Sequence, residues 1–168
     1  MTKNIPYDTL RANYAPSTPS HAGYVSLADL YRQIGWDEFI SNPNYQNTCA
    51  IRVSLALVKS GYPLTAGSHR ILSGPYKGKR VQVSMTKLAD LLATPAWLGK
   101  PEILSAQNPA SALRARRGII AFHGIAGYAG GGHIDLIDNS ADALNCASAC
   151  YFGAKQVWFW PLARSPRS

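Results

Sequence analysis

The chain has 168 residues, of which 46% are hydrophobic, and a formal net charge of +8. This length is typical of one domain, so we expect a single domain over residues 1–168. The hydrophobic fraction is ordinary for a packed core and excludes a largely disordered chain. The positive charge favours an anionic partner, such as nucleic acid, a membrane surface, an acidic glycan or an acidic protein.

Two of these partner classes have no further support. The basic residues are scattered, with small clusters at Lys77-Lys79-Arg80 and Arg114-Arg116-Arg117. They do not form a stripe with interleaved aromatic residues, so we expect no nucleic-acid partner. No stretch is long and apolar enough to span a bilayer, and we expect no membrane partner. The segment from Met1 to Asp8 lacks the apolar core of a signal peptide, which predicts a protein made in the cytoplasm without general export.

The first half of the chain predicts helices. Residues 1–24 are rich in Pro, Ser, Asn and Tyr and are expected to form a coil on the surface. Ser26 has the form of an N-cap before residues with helical apolar spacing, and Gly35 ends that helix. A second helix is predicted to begin at Cys49, capped by Asn47 or Thr48 and ended by Gly61.

The Cys49 helix is predicted to be apolar on two faces, which is typical of a buried helix. One face carries Cys49, Val53, Ala56 and Leu57, and the other carries Ile51, Leu55 and Val58.

The second half of the chain predicts mainly strands. Alternation over residues 79–83 indicates a strand, and Ser84 caps a following helix. Pro109 opens a short helix that stops at Gly118. Apolar strands are then predicted over residues 118–123, 133–138 and 155–160. Helices followed by strands indicate an α+β fold, with an antiparallel sheet packed against the central helix that carries Cys49.

The three cysteines differ in their spacing. Cys146 and Cys150 are four residues apart, whereas Cys49 stands alone. This pattern predicts a local disulfide and one free thiol, with two reduced and buried cysteines as the alternative. A disulfide persists in oxidising compartments, which conflicts with the absence of a signal peptide.

Cys49 and His133 are predicted to form a nucleophile and base. A thiol in the first turn of a helix lies where unpaired amides and the helix dipole favour an anion, and the same amides can hold an oxyanion. His133 follows Gly130, Gly131 and Gly132 at the start of a predicted strand and can serve as the base. An inert buried cysteine and a structural histidine are the alternatives, and His123, at the end of the preceding strand, is the rival base.

A third polar group is expected to orient the imidazole, and Asp138, Asp142 and Asn145 are the candidates. A three-residue loop at Asp138-Asn139-Ser140 would place Asn145 opposite His133, and a longer loop would move the partner further along. Asp142 is close to this position and is the stronger acceptor, so we assign it as the third catalytic residue. Asp135 shares a strand face with His133, and a contact with substrate is its alternative role.

Metal and phosphate sites are not indicated. Cys146, Cys150 and His133 lack the second closely spaced ligand pair of a zinc site. The glycines at 130–132 precede a strand rather than a helix and lack the Lys-Ser or Lys-Thr of a phosphate loop. We therefore expect no metal and no organic cofactor.

Segments spread over nearly the whole chain carry a family resemblance: Asn47-Thr48-Cys49-Ala50-Ile51-Arg52-Val53-Ser54, Gly132-His133-Ile134-Asp135-Leu136, and the run from Tyr151 to Leu162. Together they resemble the fourth family of type VI secretion amidase effectors. The resemblance implies a papain-like fold of the NlpC type and a bacterial toxin that is injected into the periplasm of a rival cell. It further implies cleavage of peptidoglycan stem peptides between D-glutamate and the diamino acid.

By position, the resemblance implies that Cys49 is the nucleophile, His133 the base, and Cys146 and Cys150 a disulfide. It departs at the third catalytic position, where the family has an aspartate between the two cysteines and this chain has Ser148. Injection by a secretion apparatus needs no signal peptide and ends in an oxidising compartment, which resolves the conflict above.

The predicted function is therefore an antibacterial peptidoglycan amidase. Its expected partners are stem peptides, the type VI apparatus and a cognate immunity protein. A transglutaminase or thiol protease on the same fold would share these residues. The alternative of another class is a non-catalytic basic module that binds the cell wall or an acidic protein.

Overall fold

The computed structural model describes residues 2–104, 109–127, 131–140 and 144–163. Its helices are α1 (Tyr7–Ala12), α2 (Leu27–Ile34), α3 (Cys49–Lys59), α4 (Met85–Leu92) and α5 (Pro109–Ala112), with 3-10 turns at Asp37–Phe39 and Pro43–Tyr45. Its strands are β1 (His69–Arg70), β2 (Arg80–Val81), β3 (Glu102–Leu104), β4 (Arg117–His123), β5 (Gly132–Asp138) and β6 (Gln156–Pro161).

Local capping explains where two helices begin and one ends. Ser26 Oγ accepts a hydrogen bond from Asp29 N–H before α2, and Ser84 Oγ accepts one from Lys87 N–H before α4. Gly35 ends α2 in the left-handed region, with φ of 79°. These caps confirm the predicted starts of α2 and α4, because an N-cap side chain satisfies an amide that lacks an intrahelical acceptor.

The strands form two antiparallel sheets. β1 and β2 make a small hairpin, and the main sheet has the order β3-β6-β4-β5. In the main sheet Ile119 of β4 pairs with Leu136 of β5 and with Trp160 of β6. The predicted α+β class with an antiparallel sheet is confirmed, and the structure adds β1 and β3, which were not predicted.

Helix α3 packs on both of its predicted faces. Cys49, Val53 and Leu57 belong to a cluster with α4 and with one face of the main sheet. Ile51, Leu55 and Val58 belong to a second cluster with α2 and the β1–β2 hairpin. Both faces of α3 are therefore covered, and only its C-terminal end is not. Cys49 is held at the start of a rigid, buried helix.

The prediction that residues 1–24 form a surface coil is wrong for part of this segment. Residues 7–12 form α1, and Ile5, Leu10 and Tyr14 are buried in the cluster that contains Cys49. The helix is short and opens after a proline, so its local sequence signal is weak, and packing against α3 stabilises it. None of the helices in the described ranges is long and apolar enough to cross a membrane.

Candidate active site

Cys49 opens onto a cleft of about 400 Å³. Gln46, Asn47 and Thr48, which lead into α3, line one side of the cleft together with Cys49. The other lining residues include His133, Ser17, Gly127, Ala149 and Tyr151. Cys49 is the one free cysteine, and it lines this cleft although it is only 5% exposed.

His133 reaches the cleft from β5. It is the second residue of that strand and is only 4% exposed. Only glycine fits at the preceding position, because a Cβ on Gly132 would lie 1.9 Å from the carbonyl oxygen of Phe122. The His133 ring lies against Phe122 and Tyr151, with centroid distances of 6.2 and 5.1 Å. Glycine and aromatic packing therefore fix the imidazole.

The thiol and the imidazole form a hydrogen-bonded pair. Burial by itself lowers the pKa of His133, but hydrogen bonds and charge from Asp135 and Cys49 outweigh it and raise this pKa from 6.5 to about 10. His133 Nε2 contacts Asp135 at 2.7 Å, which leaves Nδ1 for Cys49. The structure thus brings together the two residues predicted as nucleophile and base, and it favours an imidazolium beside the sulfur.

Asp135 is the carboxylate on the imidazole, and its environment differs from the predicted one. It shares the strand face of His133 as predicted, and its Oδ2 lies 2.7 Å from His133 Nε2. Its exposed fraction is 0%, so the alternative role of a contact with substrate is wrong. The backbone amides of Leu136, Ser148 and Ala149 donate to its two oxygens at 2.7 to 3.2 Å.

The loop that holds Asp135 is closed by a disulfide. Cys146 and Cys150 are bonded, which confirms the predicted bridge, with Cα atoms 5.4 Å apart. Ser148 and Ala149, whose amides hold the carboxylate, lie between them. Three backbone donors in a buried site stabilise a negative charge, so the loop keeps a carboxylate next to the imidazole.

Ser148 also connects this loop to the N-terminal segment. Its Oγ lies 2.7 Å from Tyr14 Oη and accepts from Ser17 N–H at 3.0 Å. Its carbonyl accepts from Thr18 Oγ1 at 2.7 Å. Burial, with a contribution from Asp135, raises the pKa of Tyr14 well above its ordinary value, so its hydroxyl stays protonated.

A buried arginine holds the same N-terminal segment against α3. Arg52 is 2% exposed, and its Nη1 donates to the carbonyls of Ala15, Pro16 and Val25 at 2.7 to 3.0 Å. Its Nε donates to Thr48 Oγ1 at 2.7 Å. This role was not predicted from the sequence, although a charged residue inside an apolar helix was the available signal.

The other predicted site residues lie elsewhere. Asp142 lies outside the described residues. Asp138 ends β5 and accepts from Ser140 N–H at 2.8 Å, as expected for a turn residue. The Asn145 carbonyl accepts from Asp138 N–H, so Asn145 lies opposite Asp138 and not opposite His133. Ile137 instead pairs with Cys146, because the loop is longer than three residues.

The rival base is not in the cleft. Phe122 pairs with His133, so the next residue, His123, points to the opposite face of the sheet. There its ring packs on Trp158, with centroids 4.2 Å apart.

The first-turn amide of Cys49 already has an acceptor. It donates to Asn47 Oδ1 at 3.2 Å, so Asn47 and not Thr48 supplies the side-chain cap. Asn47 itself lines the cleft. A carbonyl oxygen that entered here would meet the Cys49 amide and the Asn47 side chain together.

A thiol and an imidazole in one cleft, with a buried carboxylate against the imidazole, are typical of enzymes that use a thiolate nucleophile. The family is shown by the sequence itself. Residues 45–160 match type VI secretion system amidase effector protein 4, Tae4, and the chain belongs to this family. It is therefore an amidase effector of type VI secretion, and the family named from the sequence is confirmed.

Solved structures of this family share the fold. The effector Tae4 from Enterobacter cloacae has a TM-score of 0.73 at 20% identity and covers 96% of this chain and 99% of that chain. The effector Tae4 from Salmonella typhimurium, in complex with the immunity protein Tai4 from Enterobacter cloacae, has a TM-score of 0.71 at 22% identity, covering 95% and 99%. No curated protein sequence matches the chain.

Proposed function

We propose that this amidase effector hydrolyses peptidoglycan stem peptides between D-glutamate and the diamino acid, through a Cys49–His133 pair. The observation that carries the proposal is the double engagement of the imidazole. One ring nitrogen contacts the Asp135 carboxylate, and the other is left for the thiol of Cys49. Asp135, rather than Asp142, is proposed as the positioning residue, because it already occupies His133 Nε2.

The mechanism proceeds through a thioester. The Cys49 thiolate attacks the γ-carbonyl carbon of D-glutamate, and the carbonyl electrons move to oxygen. When the tetrahedral intermediate collapses, the C–N bond breaks and His133 Nδ1 gives its proton to the leaving amine. Neutral His133 then takes a proton from water, and the resulting hydroxide cleaves the thioester, which releases the carboxylate product and restores the thiolate–imidazolium pair.

The oxyanion is proposed to bind at the start of α3. The Cys49 amide exchanges its contact with Asn47 Oδ1 for the oxyanion, and the Asn47 amide group provides a second donor from the same wall. Two preorganised donors at the start of a helix stabilise a developing negative charge. The hydrogen bond between Asn47 and Cys49 is long, at 3.2 Å, so its exchange loses little free energy.

The family supports a wider setting for this proposal. We assign residues 1–168 to a single domain of the papain-like NlpC type, in which α3 is the central helix that carries the nucleophile. The protein would be made in the cytoplasm, delivered by the type VI apparatus and active in the periplasm of the target cell. The disulfide between Cys146 and Cys150 suits that oxidising compartment.

A cognate immunity protein is the proposed inhibitor. A loop inserted between Cys49 and His133 would fill the cleft, and an acidic surface would complement the net charge of +8. Such a complex should abolish hydrolysis, and its association rate should fall as salt is raised. A complex that still hydrolyses substrate, or whose association rate ignores salt, would contradict this mode of inhibition.

The catalytic proposal is tested with soluble muropeptides from a Gram-negative wall and product masses as the readout. Wild type should cut between D-glutamate and the diamino acid, whereas Cys49→Ala and His133→Ala should be inactive. His123→Ala is the matched control, since this histidine ends the neighbouring strand but points to the opposite face. An active Cys49→Ala variant would refute the mechanism, and products cut at another bond would refute the assigned specificity.

The alternative class, a non-catalytic wall-binding module, predicts no products for any of these variants and undiminished binding by Cys49→Ala. A transglutaminase on the same site would join fragments to added amines rather than release free carboxylates. The same mass analysis therefore separates the three functions.

A further inference from the structure

The positive charge of the chain is concentrated in its middle. No Asp or Glu occurs between Glu38 and Asp90, whereas basic residues recur: Arg52, Lys59, Arg70, Lys77, Lys79, Arg80 and Lys87. Arg52 is buried, and the others are partly or fully exposed. We call residues 68–82, which comprise β1, β2 and their connection, the basic hairpin.

Two arginines of the basic hairpin face each other. Arg70 on β1 pairs directly with Arg80 on β2, and like charges in such a pair repel. Within the described residues, neither guanidinium forms an ion pair with a carboxylate. Arg70 Nη1 donates to the Gly78 carbonyl at 2.9 Å, and Arg80 Nη1 lies 3.5 Å from the Gly67 carbonyl. Each guanidinium has five N–H donors, so both keep donors for an external anion.

The basic hairpin is fixed relative to the cleft. At one end His69 Nε2 lies 3.0 Å from Tyr45 Oη, and Tyr45 is followed by Gln46 and Asn47 of the cleft wall. At this same open end, where His69 pairs with Val81, Ser54 Oγ on the helix of Cys49 exchanges hydrogen bonds of 3.2 Å with the backbone of Gln82. An anion held by the hairpin therefore has a defined position relative to the nucleophile.

We propose that the basic hairpin is a second binding site, outside the cleft, for carboxylates of the stem peptides on intact peptidoglycan. This inference rests on the proposed function. The arginine fork matches a carboxylate in two parallel hydrogen bonds. Each exposed contact is weak, but a polymer offers many carboxylates at once, so the contacts add through multivalency. The hairpin retains the protein on the wall and supplies the adjacent cleft with substrate.

The test uses intact sacculi and the inactive Cys49→Ala protein, so that binding is measured without digestion. Arg70→Gln with Arg80→Gln should lower the affinity for sacculi about five- to tenfold at low salt. The matched control removes two exposed charges elsewhere, Lys100→Gln with Arg114→Gln, and should change affinity less than twofold. Conversion of both arginines to lysine keeps the charge and should retain salt-sensitive binding.

The same hairpin substitutions in active protein should slow the solubilisation of sacculi but leave hydrolysis of soluble muropeptides unchanged. Equal binding by the hairpin and control variants would overturn the proposal. Tighter wild-type binding to anionic phospholipid vesicles or to DNA than to sacculi would overturn the assigned ligand. If wild type fails to cut soluble muropeptides, the proposed function fails instead, and the binding comparison still decides the role of the hairpin. Thermal unfolding of each variant verifies that the hairpin is folded.

Discussion

Replacement of Asp135 by asparagine should lower turnover about 10²- to 10⁴-fold. The buried carboxylate accepts from His133 Nε2 and from three backbone amides. A hydrogen bond to a charged group contributes about 1.5–3 kcal/mol, and loss of the negative charge beside the imidazolium adds a similar amount. Each 1.4 kcal/mol corresponds to about a tenfold change in rate, which gives the range above.

Asparagine also reverses the proton arrangement on the ring. The side-chain amide nitrogen of asparagine is a donor, so where it contacts His133 Nε2, Nε2 must lose its proton and become the acceptor. The ring proton would then lie on Nδ1 in a neutral imidazole, and the imidazolium beside Cys49 would be disfavoured. Because Asp135 is among the causes that raise the pKa of His133, its loss should lower this pKa and move the basic limb of the activity profile to lower pH.

The assay measures muropeptide hydrolysis as a function of pH, with near-UV circular dichroism as the fold control. Asp138→Asn is the matched control, because it lies at the end of the same strand and keeps an acceptor for the Ser140 amide. If Asp135→Asn kept the turnover of the wild type and the basic limb of its pH profile were unchanged, the positioning role of Asp135 would be refuted. If this variant fails to fold, the pKa of His133 measured by NMR in Asp135→Glu should still exceed 6.5. A value at or below 6.5 would refute the reasoning as well.

Three further predictions concern the same cluster. The denatured protein should show one free thiol. Reduction of the Cys146–Cys150 bridge should lower the stability by about 2 kcal/mol, and it should also lower turnover because the bridged loop holds Asp135. Three free thiols or unaffected turnover would contradict this prediction. The raised pKa of His133 should sustain hydrolysis above neutral pH until activity declines near pH 10. The contribution of His133 to folding stability should be complete below pH 6.5 and lost as pH rises through about 10. Activity and unfolding are measured as functions of pH, and a decline near neutral pH would contradict the prediction. Tyr14→Phe should lower the free energy of unfolding by about 1 kcal/mol, measured by chemical denaturation. It should reduce turnover far less than Asp135→Asn, because the Ser17 amide still holds Ser148 Oγ. An equal loss of turnover would place Tyr14 in the catalytic cluster.

Features that depend on neighbouring residues could be predicted from the sequence. The start of α3 at Cys49 and the two buried faces of α3 follow from apolar spacing at the helical period. The local disulfide follows from the four-residue spacing of two cysteines, and the shared face of His133 and Asp135 follows from strand alternation. Each of these depends on contacts within a few residues, which the order of side chains determines directly.

Features that depend on distant segments were decided only by the tertiary structure. The choice of Asp135 as the carboxylate on His133 requires amides from Ser148 and Ala149, and their position depends on the length and register of the loop after Asp138. A shift of one residue in that register would turn different groups toward the imidazole. The burial of α1 and of Arg52 likewise arises from packing across the chain. Local pattern placed Cys49 and His133, the proposed nucleophile and base, whereas packing of distant segments determined which carboxylate contacts the imidazole.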